Sequence, residues 1–204
     1  MPGCIITYFS ASGNTASVAK KLAFSMDAPL CEIKAAVPYT KADLDWRNEN
    51  SRSSVEMKDP SSRPCFAPMT KDVSKYSTIF IGFPIWWYVA PHIINTFLEQ
   101  IDCSGKTIIP FATSGGSGMG KTNEFLKNSC KGAVLKEGKV FPTSVSPDKL
   151  LNWVESVLYF VCDCLSTVWK SLWITFSFLY FCIFSNFFIS IYLCTIFARF
   201  SSGV

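Results

Sequence analysis

Three short stretches of this chain carry residue types and spacings that could hold a ligand. The first is Ser10, Ala11, Ser12, Gly13, Asn14 and Thr15, set between the apolar run 4–9 and a helical pattern. A strand that turns directly into a helix leaves the first helical N–H groups without intrahelical partners, at the positive end of the helix dipole. Ser10, Ser12 and Thr15 add hydroxyl donors, and Gly13 lets the backbone come close to a ligand. No Lys or Arg lies in the loop, so a phosphate there would be held by neutral donors. The same residues read equally well as a serine-rich turn capped by Ser12 or Asn14. The second stretch, Pro84, Ile85, Trp86, Trp87 and Tyr88, places three aromatics in a row at the end of a strand pattern. The third, Thr113, Ser114, Gly115, Gly116, Ser117 and Gly118, is rich in backbone N–H groups that can hydrogen-bond a flat heterocycle. A ligand with a phosphate at one end and a large planar ring at the other would use all three.

The elements that must position these loops follow from hydrophobic patterning. Residues 4–9 read as a buried strand, and 16–25 as a helix with Val18, Ala19, Leu22 and Ala23 facing inward. A short strand is expected at 29–33, then a polar, proline-punctuated excursion at 38–68 with one short helix near 42–47. Connections of that length usually serve a site or are mobile. Strands follow at 78–83, 106–113 and 133–141. The intervening helices start near Pro91, with Ile94, Phe97, Leu98 and Ile101 inward, and span 121–130. A last helix after Pro147 should bury Leu150, Val154, Val157 and Leu158. Alternating strands and helices specify a parallel α/β sheet covered on both faces, with ligands at the carboxyl ends of the strands.

Composition narrows the function. A formal net charge of +4 without a dense basic run argues against nucleic acid. Nine cysteines without a CxxC pair, and one histidine, argue against structural zinc and a disulfide framework. No metal site is expected, and Cys4, Cys31, Cys65, Cys103 and Cys130 read as small core or surface residues. The early first strand leaves no room for an export signal, so a cytoplasmic location is expected. His92, beside Pro91, reads as a surface residue at a helix start.

Residues 159–204 are a different kind of sequence, holding half of the chain's phenylalanines, with no charged residue in 172–198. As a helix rising about 1.5 Å per residue, 172–198 would be long enough for a hydrocarbon core of about 30 Å. The tail reads equally as a C-terminal membrane anchor, with Cys162 and Cys164 as palmitoylation sites, or as a read-through intron or shifted frame.

Ser10-x-Ser12-Gly13-Asn14-Thr15 after a strand resembles the phosphate loop of the flavodoxin family. Gly82-Phe83-Pro84-Ile85-Trp86-Trp87 and Thr113-Ser114-Gly115-Gly116-Ser117-Gly118 resemble the flavin-contacting loops of one flavodoxin-like subgroup, whose polar excursion Pro38-Tyr39-Thr40 and Arg63-Pro64 also resemble. The resemblance covers residues 3–158. It implies a three-layer, doubly wound, five-stranded parallel sheet over 1–158, followed by the apolar tail, and FMN as a non-covalent cofactor. On that resemblance Ser10, Ala11, Ser12, Gly13, Asn14 and Thr15 would hold the phosphate. Pro84, Ile85, Trp86 and Trp87 would line the isoalloxazine, and Thr113, Ser114, Gly115, Gly116 and Ser117 would close its other side. The third loop lacks the tyrosine that stacks on the flavin in many carrier flavodoxins. The implied function is electron transfer or a small flavin oxidoreductase, toward a redox protein or a small-molecule acceptor, with no catalytic side chain of its own. Residues 1–158 carry 17 Lys and Arg against 14 Asp and Glu, which weakens the case for an acidic shuttle docking on basic partners.

Two other functions fit parts of the chain. Gly115-Gly116-Ser117-Gly118-Met119-Gly120-Lys121-Thr122 matches the P-loop pattern of nucleotide triphosphatases. That reading needs a later strand ending in a magnesium-binding Asp, which Val140-Phe141-Pro142 does not supply. The fold could also persist as a redox-inactive interaction module.

Overall fold

In the computed structural model, residues 3–158 are described. Both readings of the tail fall on residues outside this range, as do Cys162 and Cys164. Among the described residues no helix is long and apolar enough to cross a membrane.

The chain runs β1 (Cys4–Tyr8), α1 (Asn14–Met26), β2 (Leu30–Glu32), α2 (Arg52–Lys58), β3 (Thr78–Pro84), α3 (His92–Gln100), β4 (Thr107–Thr113), α4 (Thr122–Lys127), β5 (Val134–Leu135), β6 (Lys139–Val140) and α5 (Pro147–Leu158). All the named strand pairs are parallel, in the order β2-β1-β3-β4-β5, with β6 also on β4. This is the doubly wound order, and its switch point lies between β1 and β3. β1 is buried along its whole length, as a strand covered on both faces must be. Alternate residues feed two cores. Ile5, Ile79, Ile81, Phe83 and Ile108 meet Ile93, Ile94, Phe97 and Leu126 of α3 and α4. On the other side Trp153 of α5 packs edge-on against Phe80, Phe111 and Phe141. Gly82 is required there, because an added Cβ would lie 2.3 Å from the Phe111 ring.

The fifth strand position differs from the single strand expected over 133–141. Val134 and Lys136 donate to Lys106 and Ile108, and Phe141 donates to Ala112, so the even-numbered residues of β4 face this edge. Pro110 is the next even residue and has no N–H to offer. The strand breaks opposite it, and Gly138 packs so close to Pro110 and Met119 that a Cβ would clash with both.

The expected helix at 42–47 is a series of turns, and the helix of the excursion lies later, at α2. Ser51 caps it by accepting the Ser54 N–H, and Arg52 pairs with Glu56 one turn on at 2.7 Å. The excursion is closed at its base by Ala36 N–H to Cys65 O and Ala67 N–H to Lys34 O. Within it, Asp43, Asp45, Asn48 and Asp59 each accept a backbone N–H within three residues. Such local bonds give a polar loop a defined path without a core of its own. In α5, Leu150 and Val154 are buried as expected, Trp153 joins them, and Val157 and Leu158 are half-exposed.

Candidate functional site

Each candidate loop sits at the carboxyl end of a strand, and β1 and β3 are neighbours. α1 begins at Asn14 with Gly13 as its cap residue at φ 86, which has no side chain to cap the helix. The Ser10 hydroxyl accepts the Ala16 N–H at 3.2 Å. Among the described residues, the N–H groups of Ser12, Gly13, Asn14 and Thr15 have no acceptor. Ser12, Gly13 and Asn14 are exposed, and nothing lies within 4 Å of where a Gly13 Cβ would be. Neither Ser12 nor Asn14 caps the helix; Ser10 takes one helical N–H, and the exposed amides that remain open suit an anion.

The loop after β3 closes as a two-residue reverse turn. Trp86 and Val89 exchange N–H···O bonds of 3.0 Å in both directions, and Trp87 and Tyr88 between them have φ of 45° and 66°. Two left-handed residues in succession define the type I′ pattern, which ordinarily calls for Asn and Gly. Here two bulky aromatics hold it, at a cost of roughly 1–2 kcal/mol each. Packing supplies the compensation. Trp86 meets Phe9 and Tyr39 edge-on at centroid distances of 5.8 and 5.4 Å. Tyr39 in turn donates its hydroxyl to Glu56 and lies under the Arg52 guanidinium at 4.1 Å. Burial, then the carboxylate of Glu56, hold the Tyr39 phenol well above its ordinary pKa, so it stays a donor. Trp87 and Tyr88 point outward, 44% and 70% exposed.

A cleft of about 550 Å³ joins the two loops. Its wall contains Ala11 and Ser12 from the first loop and Pro84, Ile85, Trp86, Trp87 and Tyr88 from the second. Leu44, Trp46 and Ser53 of the excursion complete it, and sequence reasoning did not name them. Their only signal was the length of the excursion itself. The lining holds no carboxylate, Lys, Arg, His or Cys. The site therefore offers flat apolar surfaces beside open amides, and among its lining residues the Tyr88 phenol is the one side chain of a general acid–base type.

The third loop is attached to this assembly at its root. The Thr113 hydroxyl lies 2.8 Å from that of Thr15, and its carbonyl accepts the Ile85 N–H at 2.9 Å. Beyond it, Ser114 turns inward on its own loop, accepting from Gly116 and Ser117 N–H and bonding the Ser117 hydroxyl. Ser114, Gly115, Gly116 and Ser117 are not among the residues lining the cleft. The P-loop-like pattern has a packing explanation. Gly120 has φ 54 and abuts the Tyr88 carbonyl, where a Cβ would lie at 2.3 Å. Thr122 is buried and donates its hydroxyl to Met119 O, so it is not poised on a metal. The glycine makes room for the aromatic turn.

A family model described as flavodoxin matches residues 3–157. The chain belongs to the flavodoxin family. Among solved structures, a candidate flavoprotein from Bacteroides eggerthii DSM 20697 is 44% identical, with a TM-score of 0.71 over 76% of this chain and 96% of that one. Another from Bacteroides uniformis ATCC 8492 is also 44% identical, with a TM-score of 0.70 over 74% and 97%. A flavoprotein from Lactobacillus acidophilus NCFM, solved in complex with FMN, shares the fold at 23% identity, with a TM-score of 0.56 over 72% and 97%. No curated protein matches the chain. Within this flavodoxin-family domain His92 corrects its expectation. It is 3% exposed, with its ring stacked on Phe125 at 5.2 Å. The imidazole belongs to the packing of α3 on α4 and lines no part of the cleft.

Proposed function

We propose that this protein binds FMN in the cleft between the 10–15 and 84–89 loops and transfers electrons through it. The observation that carries this reading is an aromatic-walled cleft that Ala11 and Ser12 line, in the same loop that leaves the first amides of α1 open. The residues fit the group. Ser12, Gly13, Asn14 and Thr15 present open amides for a phosphate, the hydroxyls of Ser10, Ser12 and Thr15 lie in the same loop, and the aromatic wall suits a planar ring. FMN, when bound, supplies the redox chemistry that the side chains lack. The chain's own part would be to hold the phosphate with the loop amides and to offer Pro84, Ile85, Trp86 and Trp87 as an apolar wall for the ring.

The electron acceptor is a redox protein or a small molecule reached at the open rim of Trp46, Trp87 and Tyr88. A separate nicotinamide motif is missing from the sequence, which favours a carrier or partner-dependent oxidoreductase over a self-sufficient reductase. Purified protein should be yellow, with flavin fluorescence that is quenched when bound and returns on denaturation. A colourless protein that takes up no added FMN would overturn the proposal. FMN uptake without reduction by a chemical reductant would leave a redox-inactive module in its place. Assay of NAD(P)H oxidation with a quinone acceptor separates reductase from carrier.

A further inference from the structure

We propose that Thr113 turns the Thr15 hydroxyl toward a bound phosphate and so sets the preference of the site for a phosphorylated flavin. The inference rests on the FMN reading above and adds a positioning residue to it. Thr15 lies in the first turn of α1 and Thr113 ends β4, and their hydroxyl oxygens are 2.8 Å apart with both side chains 5% exposed or less.

Two hydroxyls carry two protons, and only one lies between the two oxygens. The other needs an acceptor, and among the described residues neither hydroxyl has a second protein partner. If Thr15 donates to Thr113, the leftover proton sits on Thr113. If Thr113 donates to Thr15, the leftover proton sits on Thr15, in the same turn as the open amides. An anion at those amides accepts that proton and selects the second arrangement, whereas a neutral ligand end does so only weakly. The Thr113 carbonyl is fixed by the Ile85 N–H, so its hydroxyl is held in place to donate. One residue thus joins the phosphate loop to the loop expected beside the ring.

The test is a titration of the full chain with FMN and with riboflavin, which lacks the phosphate, followed by flavin fluorescence. Thr113→Val keeps the Thr15 hydroxyl but removes the donor that orients and polarises it, so it should weaken FMN binding about fivefold and leave riboflavin within about twofold. Thr113→Ser keeps the donor and should restore the wild-type preference. Thr113→Val should add little to Thr15→Val, because both break the same chain of bonds. Equal weakening of both flavins by Thr113→Val, or no weakening of FMN, overturns the inference while the FMN reading stands. A wild-type chain that binds neither flavin overturns both. If Thr113→Val does not fold, the contrast of Thr113→Ala with Thr113→Ser reads the same donor.

Discussion

The two loops that meet in the cleft are held by opposite means. Apart from the Thr15–Thr113 hydroxyl pair, the 10–15 loop is built from local residues: a left-handed Gly13, a Ser10 hydroxyl on Ala16, and helix amides left open. The 84–89 loop is held from outside, by Tyr39 against Trp86, by Glu56 and Arg52 on Tyr39, and by the space that Gly120 leaves for Tyr88. Recognition of a charge needs only oriented amides, which a few residues can supply. Recognition of a flat ring needs large side chains at fixed angles, and distant parts of the chain have to brace them. Strain sits in the second loop and not in the first, because only the second has packing strong enough to hold it.

The largest effect expected on this contrast comes from Gly13→Val. A β-branched residue at φ 86 is a severe backbone outlier, so the loop must rearrange and the amides lose their common aim. FMN affinity should fall about 100-fold, or roughly 2.7 kcal/mol. Chemical denaturation should show a loss of about 1–2 kcal/mol from the strained φ alone, with no steric clash added because no neighbour lies within 4 Å of the new Cβ. Tyr39→Ala should show the opposite balance. It removes the aromatic that braces Trp86 and strips Glu56 of its phenol donor, costing about 2–3 kcal/mol of stability with about a tenfold loss of FMN affinity. If Gly13→Val costs as much stability as Tyr39→Ala, the contrast between a local and a braced loop is broken.

The same contrast explains what could be read in the sequence. The 10–15 loop was legible as a strand-to-helix turn because its geometry is local, although the sequence did not show that Ser10, and not Ser12 or Asn14, takes a helix amide. β1, β3, β4, α1 and α3 were legible because buried strands and an amphipathic helix write their burial into a short window. The brace was not. Tyr39, Leu44, Trp46 and Ser53 belong to a stretch without periodicity, and their role comes from the closure of that stretch between Ala36 and Cys65. The split of the fifth strand depends on which residues of β4 face that edge, a register no single strand reveals. α2 had a usable signal in the Ser51 cap and the Arg52–Glu56 pair, obscured by the surrounding serines and prolines.

A smaller effect would measure the strain itself. Trp87→Gly places a residue that tolerates φ 45 where a bulky aromatic now stands. Trp87 is 44% exposed and so gives up modest burial. Stability should rise by up to about 1 kcal/mol, with the gain reduced by the entropy that glycine adds to the unfolded chain. Position 13 is already glycine, so the 10–15 loop stores no such strain. A fall in the denaturation midpoint of Trp87→Gly would show that packing by the indole outweighs its backbone cost.

The smallest effect concerns the helix that follows the braced loop. His92 is the chain's single histidine and the first residue of α3. Burial first, and then the charge of Arg63, hold its pKa below the ordinary value, against weaker opposing pulls from the Glu56 backbone and the Asp59 and Glu56 charges. Its Nδ1 is buried without a protein partner, so an added proton would find no acceptor. In the unfolded chain the same imidazole takes up a proton near pH 6.5. Between the folded and unfolded values the unfolded state binds more protons, and stability therefore rises with pH. His92's contribution is fully present above about pH 6.5 and is lost as pH falls from there through the folded value. Urea midpoints at pH 7.5 and about 5.5 should differ for the wild type and converge for His92→Phe, which keeps a ring against Phe125 and carries no proton. The 10–15 loop contains no titratable side chain, so this acid sensitivity should belong to the braced side alone. An unchanged slope in His92→Phe would assign it to carboxylates elsewhere, such as Glu99, whose pKa its bond to Arg63 lowers.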